Sequence, residues 1–484
     1  MSTFQSAIYQ PVIGLEIHAQ LQTDSKIFAS DAVRFGREAN TLISPISLGH
    51  PGTLPFLNIK VVEYAIKMGI AIGSEIAEWQ HFDRKNYFYP DLPKGYQITQ
   101  DKTPICVGGK IKVKLKSEEK YISLHHIHLE EDAGKSLHEG DNPYSFIDYN
   151  RAGTPLIEMV TDPTLHSSEE AFALVSEVRK LVRYLGICDG NMEEGSLRAD
   201  VNISLRPIGT EKLGTKVEIK NMNSIRNIQR AIEFECTRQA AMLDAGEIII
   251  QETRTFDAHS GKTSSMRVKE TMNDYRYFPE PDLAPLHITQ DWIHEVRATM
   301  PLLPWEQEQE LIDQFGLPAY DAHFLAETKE MALFFKEAAT HTKAYKALSN
   351  WLMGPVKSHM NESLLHIQDF EINPENLAEI VDLVEQGVIT HNLAAHQLFP
   401  LCLQETSKSP KQLVDEYGWG LADNNDELIN FVQDVIGAFP DKVKEYHKGK
   451  KGLIALFIGE VMKRSKGKAD PKVVNQLVQE ALAQ

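Results

Sequence analysis

The stretch from His125 to Ser136 constrains the fold more than any other part of this sequence. It reads HHIHLEEDAGKS, so three imidazoles, three carboxylates and a lysine surround a short apolar alternation. Successive side chains of a β-strand point to opposite faces, which predicts that Ile127 and Leu129 face a core. A face that carries many ligand-type groups is costly to bury unless those groups are paired or bind a metal. The opposite face of this predicted strand carries His126, His128, Glu130 and Asp132.

Three further segments set one or two polar ligands against apolar residues, at 12–19, 156–160 and 198–203. Hard oxygen ligands with one imidazole suit Mg²⁺ or Mn²⁺ better than zinc. Exposed strand faces and ordinary ion pairs produce the same pattern, so the residues alone leave a shared metal site and separate ion pairs both open. The polar positions in these segments are Glu16, His18, Glu158, Asp200 and Asn202.

Size and composition exclude several classes of protein. A chain of 484 residues is too long for one core, so roughly two to four domains are expected. No run of about 18 apolar residues is present, and the first residues lack the basic and apolar parts of a secretory signal. The four cysteines form no Cys-x-x-Cys pair, which argues against a disulfide framework and against a cysteine-rich zinc site. A cytoplasmic location is therefore expected.

The charge of the chain is unevenly distributed. A net charge of −18 argues against a surface that binds phosphate everywhere. Residues 442–472, however, contain ten Lys or Arg against three Asp or Glu. A local basic patch of this kind can contact nucleic acid, and it can equally be the solvated surface of a helical tail, so both interpretations stay open.

Secondary-structure patterns predict an α+β part followed by two helical parts. Ser167 and Glu170 form a capping-box pattern at the start of a helix that ends at Gly186, and a second helix runs from about Ser224 to Ala245. Strand patterns nearly vanish after the proline-rich residues 279–285. The predicted strands cover residues 11–21, 110–116, 121–130, 154–161, 199–206 and 215–220. The predicted domains are residues 1–292, 293–405 and 406–484.

Two common nucleotide-binding motifs are not supported. Gly134-Lys135-Ser136 resembles the end of a P-loop, but position 129 is Leu and the preceding residues are acidic. No Gly-x-Gly-x-x-Gly sequence follows a predicted strand, so a Rossmann site is not expected either.

Other segments carry groups suited to anions and bases. Residues 82–97 interleave basic and aromatic side chains with two prolines, which predicts a rigid loop that binds a nucleotide or the single-stranded end of an RNA. The same aromatics would equally anchor a long loop to the core. Residues 216–224 are expected to form a strand that leads into a helix N-terminus, where anions are stabilised.

Taken together, these stretches resemble the B subunit of the bacterial Glu-tRNA(Gln)/Asp-tRNA(Asn) amidotransferase, over essentially the whole chain. Many long motifs in a fixed order make the resemblance specific. It rests on residues 12–18, 51–55, 82–97, 130–136, 148–158, 192–198 and 274–282.

The resemblance implies both a fold and a reaction. The fold is α+β, with a mixed or antiparallel sheet in a cradle-like N-terminal catalytic domain, then an all-α domain and a small all-α tail that binds tRNA. The activity is that of a glutamine-hydrolysing, ATP-dependent carbon–nitrogen ligase. ATP phosphorylates the side-chain carboxylate of a Glu or Asp misacylated onto tRNA(Gln) or tRNA(Asn), and ammonia then displaces the phosphate. Activation is needed because a carboxylate oxygen is a poor leaving group, and the crowded negative charge calls for cations.

The resemblance also implies site residues. His18, Glu130 and Glu158 would be catalytic and would hold the metal, Mg²⁺ with Mn²⁺ as an alternative. A second metal position would lie near Glu16, Glu131 and Asp200. The residues expected to bind substrate or nucleotide are Arg84, Lys85, Tyr87, Tyr89, Lys94, Arg198, Lys220, Asn223, Arg267 and Lys269.

The implied partners are an amidase-type A subunit that supplies ammonia through a channel, a small C subunit, and the misacylated tRNA, with no membrane involved. The chain agrees, because it lacks an amidase Ser–Ser–Lys constellation and a glutaminase cysteine. Some family members carry a cysteine-based zinc site where this chain has residues 28–31, and Ala199 replaces a frequent cysteine, so structural zinc is not expected. Two alternatives remain: a non-catalytic tRNA-binding scaffold, and a free-standing ligase that uses ammonia directly.

Overall fold

The computed structural model describes residues 4–116, 118–138, 144–268, 275–420, 425–465 and 471–483. The chain divides into two compact units, Met1–Leu303 and Pro304–Gln484. The first unit combines strands and helices, whereas the described part of the second unit is helical. The α+β class with a mixed sheet followed by helices is therefore confirmed. The finer division at residues 292 and 405 stays a prediction.

The first unit begins with a long strand and contains the helices α1 (Ile59–Ile72), α2 (Ser168–Tyr184), α3 (Ile225–Asp244) and α4 (Gln290–Ala298). Its strands are β1 (Tyr9–Gln20), β2 (Glu75–Ile76), β3 (Trp79–Gln80), β4 (Asp83–Asn86), β5 (Tyr96–Thr99), β6 (Cys106–Val107), β7 (Lys110–Lys114), β8 (Glu119–Glu131), β9 (Lys135–His138), β10 (Ser145–Asp148), β11 (Pro155–Thr161), β12 (Leu197–Pro207), β13 (Val217–Lys220), β14 (Glu252–Asp257), β15 (Lys262–Val268), β16 (Phe278–Pro279) and β17 (Leu286–His287).

One large sheet forms the centre of this unit. Its strands follow the order β15-β14-β13-β12-β1-β11-β8-β6-β2, and β7 pairs with β8 beside that path. All of these pairs are antiparallel except β13 with β14. The apolar positions Ile13, Leu15 and Ile17 of β1 are buried in one core cluster together with apolar residues of α1, α2 and α3. The alternation predicted for β1 therefore separates a core face from a polar face.

Both helices predicted in this unit form, and each has a serine N-cap. The Ser167 hydroxyl accepts a hydrogen bond from the amide of Glu170. The Glu170 carboxylate, however, accepts from the amide of His166 and not from that of Ser167, so the capping box is only half formed. Ser224 caps α3 by accepting from the Asn227 amide. The Ser224 cap fixes the residue at which α3 begins, and Asn223, which directly precedes it, lines the cavity described below.

Residues 82–97, predicted as a rigid loop, begin and end in strands. Strands β4 and β5 pair antiparallel, and β16 adds to β4 to complete a three-stranded sheet. Because the side chains of β4 alternate, Arg84 and Lys85 point to opposite faces. These two neighbouring residues therefore contact different parts of the structure.

The irregular segment between β1 and α1 contains a cluster of hydrogen-bonded polar side chains. Lys26 is fully buried, and its Nζ donates to the Leu42 carbonyl oxygen at 2.8 Å and lies 3.5 Å from Ser47 Oγ. The Asp31 carboxylate accepts hydrogen bonds from the hydroxyls of Ser44 and Ser47. Burial lowers the pKa of Lys26 to about 8, although the nearby carboxylates oppose the shift.

The second unit contains a succession of helices and two separate apolar clusters in the part of the chain that is described. A π-helical turn at Leu352–Val356 contains Pro355, which has no amide hydrogen for the regular helical ladder. No described helix has the length and apolar character needed to span a membrane. The helices are α5 (Pro304–Phe315), α6 (Ala319–Leu325), α7 (Lys329–His341), α8 (Tyr345–Trp351), α9 (Lys357–Ser363), α10 (Pro374–Glu385), α11 (His391–Leu393), α12 (Phe399–Gln404), α13 (Pro410–Glu416), α14 (Asn425–Ala438), α15 (Pro440–His447), α16 (Ile454–Arg464) and α17 (Pro471–Ala483).

Candidate active site

Three adjacent strands bring the first predicted ligand set together. β11 pairs with both β1 and β8, so Glu158 lies opposite His18 on one side and opposite His128 on the other. His18 Nε2 is 3.1 Å from Glu158 Oε2 and 3.8 Å from Glu130 Oε1. The ligand atoms of His18, Glu130 and Glu158 all lie within 4.8 Å of one another. These three side chains are close enough to bind a single metal ion.

The charges of this cluster influence one another strongly. Burial would lower the pKa of His18, but the negative charge of Glu158 and then of Glu130 outweighs burial and raises it. His128 Nε2 lies 3.4 Å from Glu158 Oε2. Although burial opposes ionisation, His18 and His128 hold the pKa of the Glu158 carboxyl well below its usual range. Glu158 is therefore ionised, which is the state that a metal ligand needs.

The donor set fits a hard divalent cation. The Gln97 amide donates to Glu130 Oε2 at 3.0 Å and fixes the orientation of that carboxylate, leaving Glu130 Oε1 directed toward His18. One imidazole nitrogen with two carboxylates suits Mn²⁺, or Mg²⁺ with bound water completing its coordination. The residues thus match the chemistry expected of this metal site.

A second acidic group lies on the neighbouring strands. Glu16 on β1 is opposite Asp200 on β12, and Glu218 lies on the next strand, β13. Their ligand atoms also lie within 4.8 Å of one another. Lys220 Nζ contacts Asp200 Oδ2 and lies 3.1 Å from Glu218 Oε1, so part of the negative charge is already balanced. Burial, followed by the charge of Glu158, raises the pKa of Glu16.

The structure does not bring Glu131 to this second group, contrary to the prediction. Glu131 directly follows Glu130 on β8, so the two side chains point to opposite faces of the sheet. The Glu131 carboxylate pairs with Lys94 and accepts a hydrogen bond from the Ile98 amide at 2.8 Å. Glu218 takes the position that was predicted for Glu131.

Both acidic groups open into one cavity of about 700 Å³. Arg198, Lys220 and Asn223, predicted to bind substrate or nucleotide, line this cavity. Arg198 Nη2 lies 3.0 Å from Asp132 Oδ2, and the positive charges near Asp132 outweigh its burial and lower the pKa of its carboxyl. The cavity therefore has a strongly acidic floor with two cations already paired to it.

A basic and aromatic group of side chains also lines the cavity. It consists of Lys85, Tyr87 and Tyr275. The rings of Tyr87 and Tyr275 meet edge to face, with centroids 6.1 Å apart, and Lys85 Nζ lies 5.0 Å from the Tyr275 centroid. Asn86 fixes the segment that carries Tyr275, because the Asn86 amide donates to the Tyr275 carbonyl at 2.9 Å. Aromatic faces beside a cation suit the stacking of a base.

Other predicted binding residues have different surroundings. Arg84 forms a double hydrogen bond with the buried Glu280 carboxylate, at 2.7 and 2.8 Å, and does not line the cavity. Tyr89 is exposed and Lys94 is paired with Glu131, and neither lines the cavity. Arg267 lies on β15 opposite Thr253.

Lys269, also predicted to bind substrate, lies outside the described residues.

Several cavity residues were not singled out as site residues from the sequence. Glu218 lies within the segment 216–224 and alternates with Lys220, so its position on the cavity face follows from the strand period. Gln97 is the last residue of the segment 82–97 and lies on β5, from which its side chain donates hydrogen bonds to Glu130 and to the Glu131 carbonyl on β8. Met192 and Tyr275 lie within the segments 192–198 and 274–282 that carry the family resemblance, but neither was singled out as a site residue.

The chain is similar to known proteins over almost its whole length. A protein-family model described as "GatB/GatE catalytic domain" matches residues 11–294, and a second one, described as "GatB domain", matches residues 333–482. The chain is similar to the aspartyl/glutamyl-tRNA(Asn/Gln) amidotransferase B subunit of Persephonella marina, with 45% identity over 98% of this chain and 99% of that protein. The protein of the same name from Caldanaerobacter subterraneus has the same identity and coverage. That of Thermosynechococcus vestitus is 45% identical over 99% of this chain and 97% of its own length.

Proposed function

The chain belongs to the family of aspartyl/glutamyl-tRNA(Asn/Gln) amidotransferase B subunits, and on this premise we propose that it activates the side-chain carboxylate of a misacylated tRNA with ATP. Membership of this family makes it one component of a multi-subunit amidotransferase. In the proposed reaction, a carboxylate oxygen of the Glu or Asp on tRNA(Gln) or tRNA(Asn) takes the γ-phosphoryl group of ATP, and ADP leaves. Ammonia then attacks the acyl carbon, so that phosphate is expelled and the amide forms.

The convergence of His18, Glu130 and Glu158 at one cavity is the observation that carries this proposal. Mg²⁺ or Mn²⁺ held by these residues would neutralise negative charge on the phosphoryl oxygens. A scaffold that only binds RNA has no use for a pocket floor made of carboxylates, since negative charge on these groups repels phosphate. The acidic floor therefore favours catalysis over the scaffold alternative.

The basic and aromatic residues of the cavity would bind the nucleotide and the tRNA end. Lys85 makes no ion pair within the described residues; its contacts there are the rings of Tyr87 and Tyr275. Its ammonium can therefore approach a phosphate or the substrate carboxylate without first leaving a carboxylate partner. Tyr87 and Tyr275 offer faces for an adenine ring, of ATP or of the RNA 3′ end. Arg198 and Lys220 remain tied to acidic partners and would set the charge balance of the floor.

The ammonia is proposed to come from a separate protein of the complex. A glutaminase that uses a cysteine needs an accessible thiolate. All four cysteines of this chain are buried, and burial raises the pKa of every one of these thiols. An amidase-type A subunit and a small C subunit, with a channel between the sites, would complete the enzyme. The basic residues near 442–465 would contact the tRNA.

The decisive experiment measures ATP cleavage by the assembled complex with Mg²⁺, with and without misacylated Glu-tRNA(Gln). We expect ADP formation to require the misacylated tRNA and to fall to background in Glu130→Gln, with folding and tRNA binding retained. Glu119→Gln is the matched control, because Glu119 lies on the same strand but pairs with Lys112 away from the cavity.

Two outcomes would contradict the proposal. Turnover that is unchanged in Glu130→Gln would mean that this cluster is not the active site. Glutamine-driven amidation by this chain without its partner proteins would support the free-standing ligase instead.

A further inference from the structure

A row of three histidines connects the protein surface to the carboxylates of the proposed metal site. His125 Nδ1 lies 2.7 Å from His126 Nδ1, and His126 Nε2 lies 3.1 Å from His128 Nδ1. His128 Nε2 in turn lies 3.4 Å from Glu158 Oε2 and 3.8 Å from Glu130 Oε2. The row runs from an exposed imidazole through a half-buried one to a buried one.

A β-bulge makes this row possible. Val160 of β11 pairs with His126 of β8, but the next residue, Thr161, pairs with Leu124. His125 is therefore an extra residue, and the strict alternation of side chains is broken at this point. A regular strand would direct His125 away from the face that carries His126 and His128. The bulge instead lets two consecutive imidazoles meet.

Binding of a cation by His18 would change which side chains donate hydrogen bonds to Glu158. Its carboxylate has two neighbouring side-chain donors in the described part of the chain, His18 and His128. A nitrogen that ligates a cation uses its lone pair for that bond and cannot donate a hydrogen bond to a carboxylate. When His18 acts as a ligand, His128 is the donor that remains to orient Glu158. Glu130 has a comparable support in Gln97.

We propose that His128, held by His126, is a positioning residue that keeps the carboxylates of Glu130 and Glu158 in the geometry that binds the divalent cation. The inference rests on the metal site of the proposed function, and it extends that site to two residues that are not themselves ligands. Groups of this kind orient metal ligands in many proteins, and their loss weakens metal affinity about 10- to 100-fold.

His126 is suited to hold His128. Burial, together with the two neighbouring imidazoles, lowers the pKa of His126 to about 4, so this ring is neutral at physiological pH. A neutral imidazole has one N–H and one bare nitrogen, and it can donate to one neighbour while it accepts from the other. The rings of His126 and His128 stack with their centroids 5.2 Å apart and their planes inclined at 29°, and this packing restricts rotation of His128.

The test measures Mn²⁺ binding to the full-length chain by electron paramagnetic resonance, without nucleotide. We expect His128→Leu to weaken Mn²⁺ binding about 10- to 100-fold. His128→Gln should bind nearly as the wild type does, because the Gln Nε2–H can take the place of the imidazole Nε2–H. His126→Leu should cause a smaller loss than His128→Leu. The matched control is His259→Leu, since His259 lies in an exposed turn far along the chain from this row.

The outcomes separate this inference from the proposed function. If Glu130→Gln abolishes Mn²⁺ binding while His128→Leu and His126→Leu bind as the wild type does, the positioning role is refuted and the metal site stands. If Glu130→Gln binds Mn²⁺ as the wild type does, the site and the positioning role fall together. Should His128→Leu not fold, the half-buried His126→Leu decides the question, with the circular dichroism spectrum as the control for folding.

Discussion

Arg84 and Lys85 are neighbours in the sequence, and we predict opposite consequences of removing them. The Arg84 guanidinium lies 2.7 and 2.8 Å from the two oxygens of Glu280, whose side chain is fully buried. It also lies 4.1 Å from the Tyr96 ring centroid. Arg84→Ala would leave the Glu280 carboxylate buried with the Asp282 amide as its main remaining donor. Breaking a buried pair by removing one partner costs about 3–5 kcal/mol.

This cost should appear as local opening of the segment that carries Tyr275. The Glu280 amide donates to the Phe82 carbonyl at 2.7 Å, and the Asn86 amide donates to the Tyr275 carbonyl at 2.9 Å. A loss of about 3 kcal/mol in local stability corresponds to roughly a hundredfold faster hydrogen exchange of these amides. Hydrogen exchange followed by mass spectrometry on the intact chain measures the effect peptide by peptide.

Lys85→Ala is the control for this prediction. It should leave exchange of residues 275–282 unchanged and weaken nucleotide or tRNA binding, because Lys85 lines the cavity. Replacing both Arg84 and Glu280 with leucine should recover much of the protection, since no buried charge is then left unpaired. The reasoning would be refuted if Arg84→Ala exchanged like the wild type while its affinity for ATP or tRNA fell.

Three further predictions concern stability. The free energy of unfolding of the wild type minus that of Lys26→Met should rise by up to about 3 kcal/mol as the pH increases from below 8 to above 10.5. Urea titrations at several pH values measure this difference. The sign follows because folded Lys26, with a pKa near 8, loses its proton before unfolded Lys26, with an ordinary pKa of 10.5; the cost of burying the charge is therefore present below pH 8 and relieved above it. Gly69→Ala should destabilise by about 1–3 kcal/mol in chemical denaturation, because a Cβ would lie 2.6 Å from Cys106 Sγ; an unchanged midpoint would show that the helix can move away. Ser224→Ala should cost about 1 kcal/mol through loss of the α3 cap, and Ser224→Asp should retain it.

The strand period predicted much of the proposed site. His18 and Glu130 were predicted on polar strand faces and Glu158 as the single carboxylate of an apolar segment, and all three share one face of the large sheet. The same period excludes Glu131 from that face, because Glu131 follows Glu130 directly, so it contradicts the position that the family resemblance implied for Glu131. What the period cannot give is the order of strands. The proximity of Glu218 to Asp200 depends on β13 joining β12, which is a long-range pairing.

Arg84 illustrates a different limit. The segment 82–97 has the composition of a binding loop, and composition alone does not distinguish the two faces of a strand. The partner of Arg84, Glu280, lies 196 residues away in the sequence. Only the folded chain shows that this arginine is used to hold two segments together. The basic residue available to a ligand is its neighbour, Lys85.

The polar cluster around Lys26 has a consequence for how this protein depends on its cellular environment. The Asp31 carboxylate accepts hydrogen bonds from the hydroxyls of Ser44 and Ser47, and Lys26 Nζ lies 3.5 Å from Ser47 Oγ. Hydroxyls and carboxylates are inert to peroxide and need no metal for their folding. The segment should therefore keep its shape in cells deprived of zinc or exposed to oxidants, and a strong chelator should leave its resistance to proteolysis unchanged.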